Sequence, residues 1–235
     1  MRYIKSFLFN IYFFFVSFGC ALFGLFFLLG HRKTAFLVPK VWEILLSFGA
    51  RWLLDLDYRV EGLENLPKGA CILASKHQSA WETFTFCGIF PGAVFIAKQE
   101  LRYLPLMNFH FDKQKTIFVN RKLGSLARED MIRQAKERIA DGDRIVIYPE
   151  GTRHAPGAKT KYKQGIVGLY KELNVPVVPI SLNSGVYWPR RSFLKKPGTI
   201  TVSILPPIQP GLTPEVFMET LHTAIETRSQ ELSHK

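Results

Sequence analysis

The sequence predicts an α/β fold, a mixed and largely parallel sheet flanked by helices, preceded by an N-terminal membrane-embedded two-helix anchor. Three observations predict it. A charge-free, phenylalanine-rich run lies near the start; short β-branched runs alternate with helical patterns from Asp55 onward; and turn signals fall between those elements. Residues 1–54 are therefore expected to form a membrane-anchoring helical hairpin and residues 55–235 an α/β domain. A chain of 235 residues has room for one ordinary domain plus such an appendage.

The first element is the run from Phe7 to Gly30, which carries no charged side chain. About twenty apolar residues suffice to cross a bilayer core. The run is too long for a cleavable leader and lacks a small-x-small cleavage site. The second element, Ala35 to Leu54, places Lys40, Glu43 and Arg51 among Trp42, Leu45, Leu46, Phe48, Trp52 and Leu53. That pattern predicts an amphipathic helix at headgroup level, with Trp42 and Trp52 at the polar boundary. Arg2 and Lys5 precede the first run, and His31, Arg32 and Lys33 follow it, so basic flanks give no single inside end. Two helices that dip in and return leave both basic ends on one face, expected to be the cytoplasmic one.

Strands are predicted at Tyr58–Glu61, Ala70–Ser75, Ala93–Ala97, Thr116–Asn120, Arg144–Tyr148, Val177–Leu182 and Thr199–Leu205. Helices are predicted at Trp81–Gly88, Ser125–Ala140, Gln164–Leu173 and Pro214–Leu232. Leu66-Pro67-Lys68-Gly69, Asp141-Gly142-Asp143 and Pro206-Pro207 supply turns between them.

Composition narrows the function classes. Hydrophobic residues make up 47% and charged residues 21%, which excludes overall disorder. Lysine and arginine total 31 against 19 acidic residues, a net charge of +12, so an anionic partner is expected: an anionic membrane, a phosphorylated substrate or nucleic acid. The basic residues are scattered and sit beside an apolar anchor, which disfavours nucleic acid. Cys20, Cys71 and Cys87 are odd in number and lack CxxC spacing, arguing against a disulfide scaffold and a zinc site. GxSxG, HExxH and GxGxxG patterns are absent from the sequence, and no metal-ligand cluster stands out.

Polar residues at strand ends remain. After Ala70–Ala74 comes Ser75-Lys76-His77-Gln78-Ser79-Ala80-Trp81-Glu82, where a carboxylate at a helix start can hold one ring nitrogen of His77. Ile117-Phe118-Val119-Asn120-Arg121 delivers an arginine at a strand end, and Ile147-Tyr148-Pro149-Glu150-Gly151-Thr152-Arg153 empties into a polar turn. Val175-Pro176-Val177-Val178-Pro179-Ile180 is apolar, a core strand or an acyl-chain wall. Each is weak alone, since histidines often satisfy loops, arginines sit on surfaces and Glu150 fits a helix cap.

Together, in this order, they resemble the lysophospholipid acyltransferase family of the 1-acyl-sn-glycerol-3-phosphate type, from about Val60 to Leu205. His77 fits the family's His-x4-Asp motif, with Glu82 in place of the aspartate. Phe118 to Arg121 fits the aromatic-x-x-Arg motif, with Asn120 where aspartate is usual. Pro149 to Arg153 is an intact Pro-Glu-Gly-Thr-Arg motif, and Lys98 and Glu100 also match. The resemblance implies that His77 and Glu82 are catalytic and that Lys98, Arg121, Glu150, Gly151, Thr152 and Arg153 bind substrate, with a backbone N–H near Gly151 for the oxyanion. It implies direct acyl transfer from acyl-CoA or acyl-carrier protein to the free sn-2 hydroxyl of 1-acyl-sn-glycerol 3-phosphate, giving phosphatidic acid, with no metal or bound cofactor, at a bacterial-type inner membrane with the catalytic domain facing the cytoplasm. The motifs fix the reaction better than the acceptor. Another lysolipid, such as lyso-ornithine lipid, is the alternative acceptor, and a non-catalytic, membrane-anchored lipid-binding protein the alternative class.

Overall fold

The structure, a computed structural model, describes residues 1–233; the last two residues of the expected domain lie outside that range. The described strands are β1 (Leu56–Glu61), β2 (Ile72–Ser75), β3 (Val94–Lys98), β4 (Ile117–Val119), β5 (Ile145–Ile147), β6 (Val177–Leu182) and β7 (Gly198–Ile204). They form one sheet in the order β1-β7-β6-β2-β5-β3-β4. All neighbours are parallel except β6 and β7, so β1 and β7 run opposite to the rest. Each predicted strand is present, its ends displaced by at most two residues.

Side chains alternate between faces along a strand, and here each face has its own core. Leu73, Val146, Val178 and Ile180 point to one side, packed under the helices α1 (Arg2–Phe23), α4 (Leu37–Leu54) and α5 (Trp81–Ile89). Ile72, Ala74, Ile145, Ile147 and Val177 point to the other, under α7 (Ser125–Ala140), α8 (Gly165–Leu173) and α10 (Pro214–Ser233). The short helices α2 (Leu25–Leu28), α3 (Arg32–Ala35), α6 (Met107–Lys113) and α9 (Ser184–Tyr187) complete the fold and were not legible as helices. In α6 the chain turns through Leu106 at φ 65° directly after Pro105, a start that carries no capping signal.

The apolar run is not one helix. α1 begins before it, at Arg2, and breaks at Gly24, where a Cβ would collide with the His110 ring, the Cys20 carbonyl and Val38. By length and composition, Arg2–Phe27 could cross a membrane. Phe7, Ile11, Phe14, Phe15 and Phe18 on α1 and Ile44, Phe48 and Trp52 on α4 face outward together. Trp42 does not join them, contrary to expectation. It turns inward against Phe13 and Phe84, and its Nε1 donates to Ser17 Oγ at 2.9 Å.

Residues 1–54 share their core with the sheet. Phe9, Leu46, Ala50 and Leu54 are buried in one cluster with Leu56, Phe84, Val178 and Trp188. Edge-to-face ring contacts run from Phe9 to Trp188 (5.3 Å) and from Phe13 to Phe84 (6.0 Å), the arrangement aromatic rings prefer. Lys195 adds a clasp: its buried Nζ donates to Asn10 Oδ1 at 2.5 Å and lies over the Trp188 ring. Ion pairs fix both ends of the hairpin to the α/β domain, Lys5 to Asp55 at 2.5 Å and Arg32 to Asp143 at 2.6 Å.

Candidate active site

Loops at the carboxyl ends of parallel strands are where α/β folds gather ligands. Ala74 of β2 lies opposite Ile147 of β5, so the segments that leave these strands, Lys76–Glu82 and Tyr148–Arg153, emerge side by side. β3 ends in Lys98, and β4 is followed by Arg121. The sheet order thus brings segments far apart in sequence to one edge.

His77 Nδ1 lies 2.9 Å from Glu82 Oε1. The same oxygen accepts from the backbone N–H groups of Gln78 and Ser79, each at 2.7 Å, and Oε2 accepts from Ser184 Oγ at 2.8 Å. Ser79 Oγ in turn accepts from the Trp81 N–H at 3.1 Å. Glu82 thus reaches back to the backbone just ahead of α5, whose N-cap is Ala80. With the reach of a glutamate, a single oxygen of this carboxylate meets two backbone N–H groups and His77 at once. Glu82 is fully buried, yet its four hydrogen bonds and the positive end of α5 offset the cost of burying charge. The carboxylate selects the tautomer with hydrogen on Nδ1, which leaves Nε2 as a proton acceptor. Tyr148 stacks on the ring at 3.9 Å between centroids, 16° from parallel, and holds its plane. Burial, then the Glu82 charge, pushes the Tyr148 phenol well above its ordinary range, so it stays neutral.

His77 lines a cavity of about 990 Å³. Phe95, Leu101, Leu104, Phe111 and Met131 give it an apolar wall that continues to Cys20 and Trp42 of the hairpin. Lys98, Arg121, Gly151, Thr152 and Arg153 also line it, bringing five of the expected binding residues to the same space as the histidine. Arg190 joins them, and its Nη1 donates to the Arg153 carbonyl at 2.7 Å. Lys98 is half exposed and pairs with Glu100 at 3.0 Å.

Two expectations need correction. Glu150 does not face the cavity: it is 1% exposed, turned inward and 2.5 Å from Lys76 Nζ. Burial is the larger influence on this carboxyl and Lys76 opposes it; the balance raises its pKa to about 7. The Gly151 N–H is also engaged, donating to the Tyr148 carbonyl at 2.9 Å. Gly151 instead allows a left-handed turn at φ 73°, where a side chain would be strained and would crowd Lys163.

Lys76, Tyr148, Ser184 and Arg190 escaped the sequence reasoning as site residues. Lys76 and Tyr148 adjoin motif residues, a signal that was present. Ser184 lies 102 residues from Glu82, and nothing local marks it.

Glu82→Gln is expected to cripple turnover, because the amide keeps the length but loses the charge that supports an imidazolium. Glu82→Asp keeps the charge and retains measurable activity, although the shorter arm gives up part of the bonding to the Gln78 and Ser79 N–H groups. Steady-state rates of the two variants decide this; equal impairment would mean that charge is not the operative property.

Comparison with known proteins adds four findings. Residues 57–183 match the family described as acyltransferase. A 1-acyl-sn-glycerol-3-phosphate acyltransferase of Pseudomonas aeruginosa is 38% identical over 156 residues, 66% of this chain and 61% of that protein. A human protein, 1-acyl-sn-glycerol-3-phosphate acyltransferase beta, is 31% identical over 170 residues, 69% of this chain and 61% of its own length. The matched chain thus spans about three fifths of these relatives. The crystal structure of PlsC, the 1-acyl-sn-glycerophosphate (LPA) acyltransferase of Thermotoga maritima, superposes with a TM-score of 0.80 at 27% identity, covering 100% of this chain and 99% of that one.

Proposed function

The chain belongs to the acyltransferase family, and from that premise we propose that it transfers an acyl group from a thioester donor to the free sn-2 hydroxyl of 1-acyl-sn-glycerol 3-phosphate, giving phosphatidic acid. The observation that carries this is the His77–Glu82 pair, opening Nε2 to a large apolar cavity with a cationic rim. Nε2 takes the acceptor's hydroxyl proton, and the oxygen attacks the thioester carbonyl. The tetrahedral intermediate collapses, the C–S bond breaks, and His77 returns the proton to the leaving thiolate. Glu82 stabilises the transient imidazolium. The acyl chain of a substrate matches the apolar wall, and Arg121 and Arg153 match the phosphate, guanidinium being suited to a phosphomonoester. The reaction calls for no metal or bound cofactor, and acyl-CoA or acyl-carrier protein serves as donor.

The hairpin supports an interfacial position. Because Lys5 of α1 and Arg32 of α3, at opposite ends of the hairpin, pair with Asp55 and Asp143, the hairpin lies along the domain instead of leading away from it. Its outward aromatic face then sits in one leaflet, where a lysolipid also resides, while a water-soluble donor arrives from the other side of the interface. We place the domain on the cytoplasmic face of a bacterial-type inner membrane.

Arg121→Ala is expected to raise KM for the phosphorylated acceptor more than for the donor, since a lost charge-assisted bond costs about 1.5–3 kcal/mol. Assays of purified protein with acyl-CoA and a panel of lysolipids test both points. Preference for lyso-ornithine lipid would replace the acceptor, equal effects of Arg121→Ala on both substrates would return that residue to the surface, and no transfer at all would leave a lipid-binding protein.

A further inference from the structure

Behind the motif residues lies a buried ionic cluster that the acyl-transfer chemistry does not use. Lys76 is 1% exposed, and its Nζ sits 2.5 Å from Glu150 Oε1, 2.7 Å from Glu226 Oε1 and 2.8 Å from Glu226 Oε2. Glu226 belongs to α10, 150 residues from Lys76, and matches no motif. It is itself held, accepting from Tyr162 Oη at 2.9 Å. Lys76 directly precedes His77, and Glu150 directly precedes the Gly151–Arg153 turn. One ammonium therefore spans the backs of the two segments that must face each other across the substrate. Neighbouring bonds tie α10 to the same loop: Gln78 Nε2 donates to Ser229 Oγ, and Ser229 Oγ to the Leu182 carbonyl.

We propose that Glu226 is a positioning residue for acyl transfer, which, by anchoring Lys76 from α10, fixes the spacing between His77 and the acceptor-binding turn. The proposal rests on the acyl-transfer function given above. A carboxylate bonded through both oxygens to one ammonium restricts that ammonium in distance and direction, and Lys76 passes the restriction to Glu150. Without Glu226, Lys76 has a single carboxylate partner and a flexible four-carbon stem. The turn then loses its fixed height relative to His77, and an acceptor held by Arg153 presents its hydroxyl out of line. Displacements of this kind are costly where a reacting oxygen must lie within hydrogen-bond reach of the base.

The cluster also has a pH signature. Glu150 is faced by Lys76 from the β2 end, Glu226 from α10 and Glu82 from α5, with Tyr162 and His154 at the cluster's border. Burial and the two glutamates favour its proton, and Lys76 opposes them. The folded state thus holds this proton to about pH 7, above the ordinary 4.5, so stability falls as pH rises between those values. Removing the Glu226 charge lowers the Glu150 pKa and flattens that decline.

The test compares full-length wild type with Glu226→Gln, Glu226→Ala and Glu226→Asp, using acyl-CoA and lysophosphatidic acid in mixed micelles. Glu226→Gln is expected to lower kcat about tenfold, because the bound hydroxyl sits out of line with His77, while KM for lysophosphatidic acid and for acyl-CoA changes little. Glu226→Asp recovers part of the loss. Thermal unfolding across the acid-to-neutral range reads the cluster without turnover, and Glu226→Gln should show the shallower fall. Wild-type constants in Glu226→Gln, a raised KM with kcat unchanged, or an unchanged slope of stability with pH would overturn the proposal. Should wild type fail to acylate lysophosphatidic acid while the slope still responds to Glu226→Gln, the acceptor assignment falls and the proposed positioning for acyl transfer is overturned with it, leaving an ionic cluster with a structural role.

Discussion

Replacing His77 with alanine is expected to abolish acyl transfer while the protein remains folded and bound to membranes. A positioned base contributes about 10²–10⁴-fold to such a reaction, and among the described residues His77 is the one histidine that combines a buried carboxylate on one nitrogen with a place on the wall of the large cavity. His110, which also lines that cavity, spends its Nε2 on the Ala21 carbonyl at 2.9 Å and props the break at Gly24. His222 bonds to the Thr160 carbonyl at 3.1 Å, away from the cavity wall. The folding cost of the substitution is modest, because its loss removes one stack and one hydrogen bond. Glu82 keeps its two backbone donors and Ser184, so the buried charge stays satisfied. Single-turnover assays with unfolding curves measured in parallel check this. An active His77→Ala protein would remove the histidine from the chemistry.

Deleting residues 1–54 is expected to abolish stable folding, and not merely membrane attachment. On sequence grounds the remaining α/β domain would stand by itself in solution. The structure puts Phe9, Leu46 and Leu54 at the centre of the core on one face of the sheet. Burial of a large apolar side chain contributes about 1.5–3 kcal/mol, a large loss three times over for a protein whose net stability is typically about 5–15 kcal/mol. Their removal also exposes Phe84, which sits on the helix that carries Glu82. Glu43 would be lost as well, and with it the acceptor of the Tyr58 hydroxyl at 3.1 Å. Expression of the truncated chain with heteronuclear NMR or proteolysis decides it: a soluble, cooperatively folding product would show that the hairpin is an accessory.

The sheet was legible because each strand is a short β-branched run bounded by turn residues, and that signal is local. The catalytic pair was legible for a similar reason: His77 and Glu82 lie within one loop and one helical turn. What could not be seen is the outcome of long-range packing. Trp42 has the composition of an interfacial residue, and only the position of Phe84 and Ser17 decides that it turns inward. Glu150 stands in the middle of a recognisable motif, yet its direction is set by Lys76, from a different strand. Ser184 and Glu226 meet the site only after the sheet is assembled, and no spacing encodes that.

The two ion pairs at opposite ends of the hairpin, Lys5 of α1 with Asp55 and Arg32 of α3 with Asp143, bear on where such a protein can reside. A helix that spans a bilayer must match its hydrocarbon thickness, and membranes sort such helices by that match. If the hairpin re-enters the leaflet as proposed, it has no opposite interface to reach. Bilayer thickness then ceases to be a variable, and lateral packing pressure and headgroup charge within a single leaflet set its affinity. Partitioning into vesicles should therefore track anionic lipid content and be indifferent to acyl-chain length.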